Sequence, residues 1–164
     1  MNPYLAEFLG TAILIALGNG VVANVVLNKT KGNNSGWIVI TFGWAVGVYT
    51  GVLISAQYSG AHLNPAITIA LAVVGKFPAS KVASYILAQL LGAMFGAFLV
   101  WIGYRKHFEV TDDAGAMQAV FCAAPNIRSY FDNVMTEVIG TFVLTLAVLY
   151  MAAPDVGLGA LNAL

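Results

Sequence analysis

No Asp, Glu, Lys or Arg occurs between Gly32 and Gly75. A membrane helix takes about 20 mostly apolar residues, so this run is too long for one span and too short for two with an ordinary loop. Within it, SGAHLNPAITIAL (59–71) breaks its own helical pattern. Asn is a favoured N-cap and Pro a favoured first helical residue, so Asn64-Pro65 starts a helix where one ought to be continuing. ITIALAVVG then runs to Gly75, a natural C-terminal stop. About ten residues at ~1.5 Å each reach roughly halfway across a ~30 Å hydrocarbon core. The expectation is a re-entrant half-helix over 64–75 with its positive N-terminal end deep in the membrane.

The preceding SGAHL cannot belong to the same helix, so its carbonyls are left free. Irregular backbone at that depth is tolerated only inside protein or along a water-filled cavity. Carbonyl acceptors would therefore lead to donors: Asn64 caps its helix through the side-chain oxygen and turns its amide NH₂ to the lumen. Such a ladder suits a polar, uncharged solute, whereas a cation meets the positive helix end.

Composition puts the whole chain in a lipid bilayer. Only 9% of residues are charged and 60% are hydrophobic, with a mean hydropathy of +0.84, against about a quarter charged in soluble domains. An all-α integral membrane fold follows. Besides the charge-free run, Tyr4–Leu27, Val82–Tyr104 and Asp132–Ala153 are long and apolar enough to span. NKTKGNNS (28–35) reads as a polar loop and 105–131 as a long connecting loop. Seven basic residues balance seven acidic ones, which gives no reason to expect a nucleic-acid partner. Cys122 is the single cysteine, too little for an intramolecular disulfide or a metal cluster. MNPYLAEF has no basic n-region, so no signal peptide is expected.

Small residues recur at helical spacing: Gly43, Gly47 and Gly51 in the second span, Gly92 and Gly96 in the third. Stripes of this kind let helix backbones approach closely where lipid supplies no hydrophobic drive. An internal repeat adds to this. AEFLGTAIL (6–14) aligns with TEVIGTFVL (136–144) at an offset of 130 residues. Glu7/Glu137, Gly10/Gly140, Thr11/Thr141 and Leu14/Leu144 are identical. Three spans separate the copies, so the second enters the membrane from the opposite side, an inverted-topology repeat whose functional site lies near the midplane. A carboxylate within a span is costly and faces protein or water. Glu7 and Glu137 are each expected to accept backbone N–H bonds from an irregular segment buried beside them.

With these residues in hand, SGAHLNPAITIAL resembles the first Asn-Pro-Ala loop of the aquaporin (major intrinsic protein) family. AEFLGT, SYILAQLLGA and TEVIGTFVLT agree with the family's flanking spans. The resemblance implies that Asn64, with Pro65 and Ala66, is the donor at the pore midpoint. It also implies that the carbonyls of Gly60, Ala61, His62 and Leu63 line the channel, with His62 buttressing the loop, and that Glu7 and Glu137 hold the re-entrant loops. Trp44, fifteen residues before Ser59, matches the second-span position of the family's constriction. Water-selective members usually carry Phe or His there and glycerol facilitators Trp. The 105–131 loop with its FCAAPN run also resembles glycerol facilitators, although Ala123 and Ala124 stand where a Thr-Tyr pair is usual.

The resemblance further implies six spans, two half-helices, a homotetramer in the cell membrane and a cytoplasmic N-terminus. This sequence carries four spans and one half-helix: a first repeat over 1–104, a connecting loop over 105–131 and the start of a second, inverted repeat over 132–164. The second loop is expected near position 194, beyond Leu164, so the chain is expected to be a fragment or to be completed by a second polypeptide. Charge alone favours the reverse orientation, since Lys76 and Lys81 fall on the N-terminal side and Lys29, Lys31, Arg105, Lys106 and Arg128 on the other; the orientation is taken from the family. The expected function is a passive channel for glycerol and other small uncharged solutes, with water. The passive-channel function that the family resemblance implies needs no cofactor and no catalysis. The alternatives are a water-selective channel, a structural or adhesion role, and an ion-coupled transporter.

Overall fold

The computed structural model describes residues 1–150, and within them all regular structure is helical. Helix α1 spans Pro3–Val26, α2 Trp37–Ser59, α3 Pro65–Val73, α4 Val82–Glu109, α5 Ala114–Ala119 and α6 Tyr130–Tyr150. A 3₁₀ turn at Ala79–Lys81 precedes α4. Four of these helices, counting the turn with α4, are long and apolar enough to cross a membrane. Polar side chains share the interior with apolar ones such as Ala23, Leu27 and Val100, while large apolar side chains face outward. Glu7, Asn19, Ser55, Thr68 and Gln89 are buried, whereas Trp37, Ile38, Phe42 and Phe98 are exposed. Lipid is the solvent that suits such an exterior.

Glycine sets the helix spacing. A Cβ on Gly51 would lie 2.8 Å from the Gly10 carbonyl oxygen, and one on Gly47 would lie 3.1 Å from that of Leu14. Gly43 faces Val21, so α1 and α2 run antiparallel. Gly92 and Gly96 of α4 press on the Phe8 and Ala12 carbonyls, so α4 runs parallel to α1. The two glycine stripes thus bring both neighbours onto the α1 backbone, as their spacing predicts.

The predicted half-helix is present. Asn64 is its N-cap, Pro65 its first residue, and Gly75 follows it in the left-handed conformation (φ +73°). The third span ends later than expected. Its last turn runs on through Arg105 and Lys106 to Glu109, where both bases pair with that acid at helical spacing (3.4 and 2.7 Å). The expected 105–131 loop also contains α5, which Asp113 caps by accepting from Gly115 N and Ala116 N at 2.8 and 3.1 Å.

A polar clasp fastens the far end of α4 to the α1–α2 connection. Asn28 N donates to Thr111 Oγ1 (3.0 Å), Asn28 Nδ2 to the Val110 carbonyl (3.2 Å), and Thr111 Oγ1 to the His107 carbonyl (2.7 Å). His107 Nδ1 lies 3.0 Å from the Asn28 carbonyl, and because a carbonyl only accepts, that nitrogen carries the hydrogen. Ala23, Leu27, Val100 and Val120 pack beneath the clasp. Thr111→Val removes the acceptor for Asn28 N–H and is expected to cost about 1–3 kcal/mol, read as a lower thermal midpoint in detergent.

Helix α6 begins at the α5 end of the bundle and finishes beside the C-terminus of α3, where Lys76 Nζ donates to the Leu149 carbonyl at 3.2 Å. It therefore runs opposite to α1 and α4. The expected fourth span, 132–153, agrees over the described residues; 151–164 lie outside them.

Candidate functional site

The link between α2 and α3 is five residues, 60–64, of unusual backbone. Gly60 (φ +84°), Ala61 (+50°) and Leu63 (+51°) all occupy left-handed space. For Ala61 and Leu63 that costs about 1–2 kcal/mol each. The opposing force is Glu7, which is fully buried. Its Oε1 accepts from His62 N (3.0 Å) and Ser59 Oγ (2.6 Å), and its Oε2 from Leu63 N (2.8 Å) and Gln89 Nε2 (2.8 Å). Hydrogen bonds to a charged group are worth about 1.5–3 kcal/mol each, so the two backbone bonds alone offset the strain.

This bracing fixes where the carbonyls point. The peptides are all trans, and a trans peptide holds its N–H and C=O on opposite sides. With His62 N–H and Leu63 N–H aimed at Glu7, the carbonyls of Ala61 and His62 must face away from it. Among the described residues, no carbonyl from Gly60 to Leu63 accepts a hydrogen bond. The free acceptors expected from sequence are therefore present.

The half-helix start supplies donors. Asn64 Oδ1 accepts from Ala66 N at 2.8 Å, and Asn64 Nδ2 has no partner among the described residues. The Asn64 carbonyl accepts from both Thr68 N and Thr68 Oγ1 at 3.0 Å. Because Thr68 spends its only hydrogen there, it accepts from Gln89 Nε2 (2.9 Å) and from His62 Nδ1 (3.1 Å). His62 is thereby held as the Nδ1–H tautomer. Its ring packs against Phe77 and Tyr85, with centroids 4.6 and 5.0 Å away, and Tyr85 OH donates to the Ser59 carbonyl at 3.1 Å. These contacts hold the His62 ring between the loop, α3 and α4.

A groove of about 450 Å³ runs past this loop. Ala61, His62, Leu63, Asn64 and Pro65 line it, as does Trp44. Leu14, Val48 and Val52, with Leu144 and Val148 of α6, supply much of the apolar remainder. Trp44 lies over Gly18, where a Cβ would collide with its ring. Gly60 and Ala66 flank the groove without lining it: the first ends α2 and the second lies inside α3. Glu137 stands apart, exposed on α6 beside a more open groove with Arg128 and Thr141, and it accepts no hydrogen bond among the described residues.

Ser59, Thr68, Tyr85 and Gln89 carry the bracing and are not among the residues predicted from sequence. Gln89 had a signal, being an uncharged polar residue in the middle of a span. Thr68 had a fainter one, a hydroxyl one turn beyond the cap.

The profile of the major intrinsic protein family matches residues 1–163. The chain is 57% identical over 153 residues to the probable glycerol uptake facilitator protein of Thermotoga maritima, covering 93% of this chain and 65% of that protein. It is 50% identical over 155 residues to the glycerol uptake facilitator protein of Streptococcus pneumoniae strain R6, covering 94% and 66%. The X-ray structure of the aquaglyceroporin from Plasmodium falciparum superposes with a TM-score of 0.60 at 40% identity, over 65% of this chain and 43% of that one. The chain thus spans just under two thirds of the length of these two curated relatives. A capped half-helix, a strained loop braced by a buried acid and a match over nearly every residue lead to one assignment: the chain belongs to the major intrinsic protein family.

Proposed function

We propose that the groove is one half of a passive transmembrane conduit for glycerol and other small uncharged solutes, with water. The observation that carries this reading is the pairing of unlike walls on one groove. Trp44 and its aliphatic neighbours give an apolar side for an alkyl backbone, while free carbonyls and the Asn64 amide give acceptors and donors for hydroxyls. No bond is made or broken, so flux follows the gradient. The names of the relatives, glycerol uptake facilitators, point the same way. In this reading Trp44 sets width and polarity, Asn64 orients the solute, and the carbonyls of residues 61–63 pass it along. The facing wall comes from a segment equivalent to the part of the relatives that this chain does not span.

The same reading extends to organisation. The opposed directions of α1 and α6 support 1–104 as a first repeat, 105–131 as the connection and 132–164 as the start of an inverted second repeat, in which Glu137 takes the role of Glu7. The protein sits in the cell membrane as a homotetramer with its N-terminus in the cytoplasm. Ion coupling is disfavoured, because both Glu7 oxygens already accept two donors each and are committed as a strut.

Trp44→Phe tests the selectivity assignment in full-length protein reconstituted in liposomes. Glycerol flux relative to water flux should fall, by roughly ten-fold, for the lost apolar contact. An unchanged ratio would remove Trp44 from the constriction.

A further inference from the structure

Gly18 lies well inside α1, and its backbone is ordinary helix rather than left-handed. Nothing in its own conformation calls for glycine, and alanine is the better helix former. The cause lies across the helix contact. The three atoms nearest a Cβ placed there all belong to the Trp44 indole: Cδ2 would be 2.6 Å away, and Cε3 and Cζ3 would also collide. Carbon atoms in contact sit about 3.5–4.0 Å apart, so the indole rests on helix surface that only a missing side chain leaves bare. Gly20 has no such neighbour; the atom nearest its Cβ position is Val100 Cγ2, at 4.0 Å.

The ring has little freedom to retreat. Trp44 packs against the buried Val22, Val25 and Ile40. Gly47, nearly a turn further along α2, keeps the two backbones together, its Cβ position lying 3.1 Å from the Leu14 carbonyl oxygen and 3.5 Å from Gly18 N. Gly18 is buried and does not line the groove, whereas Trp44 is half-buried and does. The indole therefore stands between the glycine and the groove. A methyl group on α1 would push it toward the open side by roughly 1 Å, the shortfall from an ordinary carbon contact.

We propose that Gly18 is the seat of the Trp44 indole and, through it, sets the width of the groove: a positioning residue for solute selectivity on α1, outside the groove lining. The selectivity half rests on the conduit reading above; the seat itself does not.

The test pairs Gly18→Ala with Trp44→Ala in full-length protein. In proteoliposomes Gly18→Ala should lower glycerol flux relative to water flux by roughly ten-fold. In the Trp44→Ala background, with no ring to displace, the same change should leave the ratio where that background set it. A ratio that stays or rises beside Trp44 overturns the proposal. So does an equal fall in both backgrounds, or a matching fall in Gly20→Ala, since either assigns the effect to the helix rather than the indole. The unfolding midpoint in detergent tests the seat without any flux. Gly18→Ala should lower it beside Trp44 and raise it by about 2–4 °C once the ring is gone; a shift of the same sign in both backgrounds overturns the seat. If Gly18→Ala aggregates beside Trp44, the double variant decides: a folded elution profile supports the seat, and continued aggregation overturns it. Wild-type protein that conducts no glycerol defeats the conduit reading alone, because the midpoints still test the seat.

Discussion

Glu7→Gln is expected to abolish solute flux while leaving the helices in place. The carboxylate accepts from Ser59 Oγ, His62 N, Leu63 N and Gln89 Nε2. An amide offers one oxygen, and its NH₂ takes the place of the other, facing the backbone N–H of either His62 or Leu63, which can only donate. At least one buried backbone donor loses its acceptor, at about 1–3 kcal/mol, and the charge that strengthens the remaining bonds is gone. The left-handed conformations of Ala61 and Leu63 also lose what holds them, and they relax toward ordinary backbone. A change of this size is a large part of the 5–15 kcal/mol that typically separates folded from unfolded states. It falls on one loop, so circular dichroism should remain helical while glycerol flux from proteoliposomes disappears. Flux within twofold of wild type would mean that Glu7 does not set the loop.

Gly92→Val should be the most damaging change outside the loop. A Cβ there would run into the Phe8 carbonyl group, backbone that cannot swing aside. Helices α1 and α4 would have to separate, taking Glu7 away from Gln89 and loosening every bond described above. The expected result is aggregated protein on size-exclusion chromatography. Gly103→Val provides the contrast: nothing lies within 4 Å of its Cβ position, so that variant should elute as wild type. Equal behaviour of the two variants would separate helix contact from the glycine stripe.

What the sequence reveals here is what is local. The half-helix was legible because its start and stop are written in three residues, Asn64, Pro65 and Gly75. The glycine stripes were legible as spacing, though which backbones they admit was not. The α4 terminus was misjudged because Arg105 and Lys106 look like a boundary, whereas pairing with Glu109 carries the helix onward. Helix α5 was hidden in a polar stretch too short to show periodicity. The brace around Glu7 was only half visible: the need for a partner followed from a charge in a span, but Gln89 lies 82 residues away and joins it only through folding. Positive φ at Ala61 and Leu63 has no sequence signal at all, because tertiary bonds impose it against local preference.

Light scattering from proteoliposomes containing full-length protein, under an inward glycerol gradient, tests the central claim most directly. The account predicts rapid re-swelling as glycerol enters, at a rate proportional to the gradient and indifferent to a proton gradient. Rapid water flux with glycerol flux no greater than through empty liposomes would contradict it.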